Sequence, residues 1–464
     1  MVEALASGVE DKLVNSFKFD LKPGASYVTN RRSCTYHPSG SNIYTPQGGT
    51  RLIKLLLTGD QWLDPSTFRL MFDLRNTDPT AGKQLRPLGA PYTFFRRMRI
   101  LANGAIIEDI DDFARVSEMF STLTSADSRL NNDAEGFGQS NKLKQWGEVP
   151  LGPGQFNKDT FYGIKTSEAQ TVLFKPLSGL LMQDKMLPLK YCPLTIELEL
   201  VDDAMSPIIS EPWGADADSF KADNTSTSWQ IENVQVKVDL CTLDNALDNS
   251  FSQHLLDGGT LLVNYNTYIS QMMSVIGGAV GGVSVGQKDI QHTITRAVSR
   301  LKSVFVTLDH AVPAEETYSG RRSWNDFYSP MHFYSGGASN LFDARGEFEF
   351  QLQIGSKQFP EYPIRSHAEA FYQLKKCLGV QASTLHNFDI DSHEYRNHKM
   401  IIGIDTEMVL SAGFTGINTK AGDMLCLRFK HNDTDNLRYA TKMQVVLHSD
   451  CIMSIRDSGV EVMD

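Results

Sequence analysis

The chain has 464 residues, 41% hydrophobic and 21% charged, with 44 Lys and Arg against 55 Asp and Glu for a formal charge of −11. That is enough apolar material for large packed cores, and the composition is not that of a disordered chain. The acidic balance argues against a dedicated nucleic-acid binder, whose first signature is a basic field. In chain order, residues 2–16 carry helical periodicity, but they are acidic and lack the apolar centre of a signal peptide. Residues 51–57 and 67–74 are strand-length apolar runs bounded by turn residues. Residues 97–101 meet Asn103-Gly104, the strongest short hairpin signal, and 105–107 return. Helical periodicity reappears over 113–123. Residues 194–200 and 229–240 alternate apolar and polar, as strands of a sheet with one wet face do. In the second half, 260–269, 301–308, 347–354, 399–410, 423–429 and 439–447 read as strands and 368–378 as a helix.

At least five strands per half, spaced by turn signals, predict sandwiches or barrels and not a parallel α/β sheet. The length fits two sandwiches of ~200–250 residues as well as three ordinary domains. Residues 97–123 and 347–378 share one order: strand, tight turn, short strand, helix. The two copies lie roughly 250 residues apart, the scale of a duplicated domain and not of a solenoid. The boundary is expected around 244–258. Long polar connections at 125–158, 202–228 and 310–346 are expected to be functional surfaces. The third holds Tyr318, Trp324, Phe327, Tyr328 and Tyr334.

No motif for chemistry survives inspection. Asn397 stands where an H-E-x-x-H site starting at His393 needs its second histidine, so a metal site is not expected. Gln287 stands where a phosphate loop starting at Gly281 requires lysine. The six cysteines are far apart and suit reduced thiols in a cytosolic or nuclear setting. The glycine-rich run at 272–286 is too short for the ~20 apolar residues of a membrane span. Glu108, Asp109, Asp111 and Asp112 precede a predicted helix, where acidic side chains complement the N-terminal dipole. The basic groups Arg31-Arg32, Arg96-Arg97-Arg99 and Arg321-Arg322 read as solvated faces or ion-pair partners. No catalytic, cofactor-binding or metal-binding residue is assigned, and no specific nucleic-acid site.

The segment at 187–200 leads in with Leu187-Pro188-Leu189 and alternates from Leu194 to Leu200; Trp229 opens a second alternating strand about thirty residues on. With two β-rich halves, these features resemble the double jelly-roll major capsid proteins of small eukaryotic double-stranded DNA viruses, the polinton-like virus and virophage group. The resemblance implies an all-β chain of two tandem eight-stranded jelly rolls with short helices in loops and an N-terminal helix. The domains would be an arm at 1–20, a first roll at 21–245 and a second at 246–464. It implies a structural protein without catalysis or cofactor, forming homotrimeric, pseudo-hexameric capsomers in an icosahedral virion. Its partners would be itself, neighbouring capsomers, a penton protein and minor or cement proteins. Contact with an internal membrane or genome is left open. The chain would be made in the host cytoplasm, or assembled in the nucleus or a viral factory. Interface candidates are Val2, Leu5 and Leu13 in the arm and Tyr318, Trp324, Phe327, Tyr328 and Tyr334 in the aromatic connection. The alternatives are a secreted or surface double jelly-roll carbohydrate-active enzyme or lectin, which needs facing carboxylates near aromatic platforms, and a single jelly-roll RNA-virus capsid precursor.

Overall fold

The computed structural model describes residues 27–137, 150–152, 155–156, 163–208, 226–280, 282–310, 327–330, 348–379, 390, 392–397, 399–407, 416–420, 424–432 and 439–463. A first set of strands comprises β1 (Val28–Tyr36), β2 (Leu52–Leu57), β3 (Trp62–Asn76), β4 (Phe95–Ala102), β5 (Ala105–Ile110), β6 (Ala169–Phe174), β7 (Leu194–Leu200) and β8 (Trp229–Leu243). A second set comprises β9 (Leu261–Ser274), β10 (Asp289–Ile294), β11 (Leu301–Asp309), β12 (Phe348–Ile354), β13 (Lys357–Ile364), β14 (Ile401–Asp405), β15 (Leu425–His431) and β16 (Lys442–Arg456); β17 (Gly459–Met463) follows. The first set forms antiparallel sheets in the orders β1-β8-β3-β6 and β2-β7-β4-β5. The second forms β9-β16-β11-β14, with β17 added on β16, and β10-β15-β12-β13. Adding eight to each label of the first set reproduces the second, so the chain is two jelly rolls in tandem. No ladder among the described residues joins the two sets.

The local reasons are readable. In β7 every second residue, from Leu194 to Leu200, is buried, while Thr195, Glu197 and Glu199 face outward. Asn103 and Gly104 both have positive φ, 48° and 86°, which is the backbone an Asn-Gly hairpin supplies without splaying its strands. Gly355, at φ 58°, turns the matching hairpin of the second roll. Aromatic rings fill both sandwiches. Phe72 meets Phe95 edge-on at 5.7 Å, Phe94 meets Trp229 at 4.8 Å, and Phe348 stacks on Phe429 at 5.4 Å. Each such buried ring stabilises its roll by about 1.5–3 kcal/mol.

The helices are α1 (Phe113–Thr122), α2 (Ala126–Asp133), α3 (Gly179–Met182), α4 (Asn245–Leu256), α5 (His367–Cys377) and α6 (Ser392–Asn397). α4 runs between the two sets of strands, started by Asp244, whose carboxylate accepts from the Ala246 N–H at 3.0 Å. α1 and α5 each follow a hairpin, β4-β5 and β12-β13, as the repeated pattern predicts. The helix expected over 2–16 lies outside the described residues. Because the strands alternate in direction, connections alternate between the two ends of each roll. Those at 58–61, 103–104 and 175–193 leave one end; those at 37–51, 77–94, 111–168 and 201–228 leave the other. The second roll repeats the asymmetry.

Candidate functional site

The two rolls meet on the outer face of the sheet β9-β16-β11-β14. Phe120 of α1 packs on Tyr268 of β9 at 4.6 Å and on Phe305 of β11 at 5.2 Å. Arg115 of α1 donates to the Leu308 carbonyl at 2.8 Å, and its guanidinium lies 4.9 Å over the Phe327 ring. The Tyr265 hydroxyl of β9 donates to the Ile107 carbonyl of β5 at 2.9 Å. α1 is buried along most of its length because its own roll covers one side and the second roll the other.

Glu108 sits at this junction, 1% exposed. It accepts from the N–H of Gly179 at 2.9 Å and of Leu180 at 3.4 Å, and it bonds the Ser178 hydroxyl at the start of α3. Burial pushes its carboxyl up to about 7, although these three bonds favour the ionised form. Gly179 is required here: a Cβ would lie 1.5 Å from the Asn266 carbonyl oxygen of β9. Burial holds the neighbouring Tyr268 at about 12, with the Glu108 charge adding to it. His448 stacks on Tyr268 at 5.1 Å and is held down at about 3 by burial.

This placement corrects the expectation that the carboxylates of 108–112 serve the start of α1. Asp112, at the N-cap, makes no side-chain cap bond. Glu108 caps α3 instead, and Asp109 binds Arg97 at 2.5 Å and Arg99 at 3.4 Å. Those arginines belong to a second feature, the outer face of the sheet β2-β7-β4-β5. There Lys54 pairs with Glu197 at 3.3 Å, and Arg96 with Glu199 at 3.6 Å. Arg51 pairs with Asp202 and, at 3.7 Å, with Glu199. A shallow depression of about 280 Å³ opens among Arg51, Leu52, Arg97, Arg99, Glu197 and Glu199. Leu52, Leu56 and Ile106 stand about half exposed on this face.

Of the expected interface residues, Val2, Leu5, Leu13, Tyr318, Trp324 and Tyr334 lie outside the described residues. Phe327 and Tyr328 are described, and both are buried within the chain. Their backbones bond Met400 and Leu308, and the Tyr328 ring stacks on His310 at 4.7 Å. Their aromatic surface therefore packs inside the chain and is not presented outward. Sequence reading missed Arg115, Phe120 and Glu108, because their partners lie far away in the chain. Among the described residues no three His, Cys, Asp or Glu side chains gather as a metal set, and no helix is long and apolar enough to cross a membrane.

No protein-family model matches the chain, and no curated protein matches it in sequence. Solved structures match along nearly its whole length. PBCV-1 VP54, fitted into a reconstruction of the Sputnik virophage, superposes with a TM-score of 0.59 at 9% identity, over 96% of this chain and 100% of that one. A chain of the Sputnik virophage structure gives 0.59 at 8% identity, over 98% and 92%. The Faustovirus major capsid protein gives 0.51 at 10% identity, over 98% and 96%. At such identities the likeness is one of fold, and the fold this chain shares with these capsid proteins is the double jelly roll.

Proposed function

We propose that the chain is a major capsid protein, a non-enzymatic subunit of an icosahedral virion shell. The observation that carries this reading is the end-to-end likeness of both rolls to viral capsid proteins. The contrast between the two equivalent sheets supports it. The outer face of β9-β16-β11-β14 meets Phe120 of the first roll at Tyr268 and Phe305 and its own α5 at β14, whereas that of β1-β8-β3-β6 carries half-buried, mostly polar side chains such as Arg69, Asp73 and Arg75. A second roll from another copy fits there as the first roll fits within the chain. Repeating that head-to-tail contact closes a ring of three chains and six rolls. In that ring the edge strand β13, with Tyr362 79% exposed, meets the exposed edge strand β1 of the next copy, as β5 meets β9 inside one chain. Penton and minor capsid proteins would complete the shell, and the arm at 1–20 would add contacts between subunits. Assembly would take place in the host cytoplasm, nucleus or a viral factory.

Light scattering with negative-stain imaging of the same peak tests the reading. The expected particle is about 155 kDa, three times 51.8 kDa, with a hexagonal outline. A monomer under all assembly conditions, or a particle with two-fold outline only, overturns the ring.

A further inference from the structure

The outer face of β2-β7-β4-β5 is written in columns of alternating sign. The register puts Lys54, Glu197, Arg99 and Asp109 in one row, and Leu56, Thr195, Leu101 and Ile106 in the next. Leu52, Glu199 and Arg97 form a third. A two-fold axis parallel to the strands, midway between β7 and β4, exchanges β7 with β4 and β2 with β5 without changing height along the strands. Under that operation Glu197 of one copy faces Arg99 of the other, Glu199 faces Arg97, Lys54 faces Asp109 and Leu56 faces Ile106. In these rows the named charges meet their opposites, and Leu56 and Ile106 meet each other. An isologous contact requires this kind of self-complementarity, and a random mixture of charges does not supply it.

The face has apolar surface open to such a partner: Leu52, Leu56 and Ile106 stand about half exposed. The second roll carries one such pair with the signs exchanged, and Arg428 stands between the neutral Gln291 and Gln351. On β15 stand Arg428 and Lys430, and on β12 stands Glu349, paired with Lys430 at 3.8 Å. A like roll is therefore attractive under the same two-fold. An unlike roll would set Glu199 against Glu349, Arg97 against Lys430 and Arg99 against Arg428, with Glu197 against the neutral Gln351. Charge selects like against like.

We propose that this face docks the same face of a second copy across a two-fold axis parallel to the strands, joining rings first roll to first roll. The inference rests on the shell reading above and supplies the contact between rings, which the head-to-tail seam does not.

The test uses full-length chains carrying R99E or E197R, each checked for a melting temperature and ring mass close to wild type. Each variant alone puts like charges across the axis, so its rings should stay separate where wild-type rings associate. An equal mixture should associate again, because each contact then pairs one variant with the other. Within either chain the neighbouring charges remain mismatched, so only a contact between copies predicts recovery on mixing. Single variants that associate like wild type overturn the proposal, as does a mixture that stays apart. Wild-type rings that never associate overturn the contact and leave the ring standing. A wild type that never leaves the monomer overturns the shell reading itself.

Discussion

Two sheets with the same strand order meet different neighbours. In β11 and β16 side chains are buried on both faces, and Tyr268 of β9 and Phe305 of β11 lie under Phe120 of the first roll. In β1-β8-β3-β6 burial alternates along β3 and β8, and the outer face carries ion pairs such as Arg75 with Glu232 at 2.9 Å. The outer face of a jelly-roll sheet thus takes its composition from what covers it and not from the roll. The duplicated domain carries one covered and one more open copy of the same surface.

The largest expected break in this comparison is Phe305→Ala. It removes a fully buried ring that Phe120 packs against, and should cost about 3–5 kcal/mol of stability in chemical denaturation. Met71→Ala, on the outer face of the corresponding strand β3, should cost the isolated chain under about 1 kcal/mol while weakening the ring. Equal losses in the isolated chain would show that the two faces are not differently covered.

Glu108 gives the next effect. Its carboxyl is raised from 4.5 to about 7, so the stability it contributes is fully present below pH 4.5 and lost as pH rises to 7. The loss comes to about 3 kcal/mol, because each tenfold gain in proton affinity on folding is worth ~1.4 kcal/mol. Glu108→Gln keeps an acceptor for the Gly179 N–H and cannot titrate, so its stability should lack this dependence. His448 works in the opposite direction, since its lowered value removes stability as pH falls below 6.5, but it is common to both proteins. The difference between wild type and variant therefore isolates Glu108, and a difference that stays constant from pH 4.5 to 7.5 would reject its buried titration.

The smallest effect should be Arg31→Ala. Arg31 bridges Asp64 and Asp239, each at 2.9 Å, on the open sheet, but it is half exposed and screened by solvent. The change in melting temperature should be small, and smaller still in high salt.

Much of the fold was legible because period-two alternation and the Asn103-Gly104 turn are local. Strands such as 194–200 and the repeated hairpin-plus-helix could be read from neighbouring residues alone. The candidate site was less so. The carboxylates before α1 looked like helix-dipole partners because that explanation uses only adjacent residues; Glu108 instead serves α3, seventy residues on. Phe327 and Tyr328 sat in a polar, glycine-rich stretch, which reads as surface until Arg115 and His310 are seen to enclose them. The self-complementary face needed the register between β7 and β4, which no single strand contains.

The unequal ends of the rolls carry their own lesson. Most of the longer connections leave from one end of the walls; at the other, 58–61 and 103–104 are brief turns, 175–193 carries α3, and a link runs from β8 through α4 to β9. Ornament on one side can thus lengthen, shorten or change chemistry without altering the walls that set the spacing between neighbours. A descendant of this chain could change those connections while keeping the same two walls.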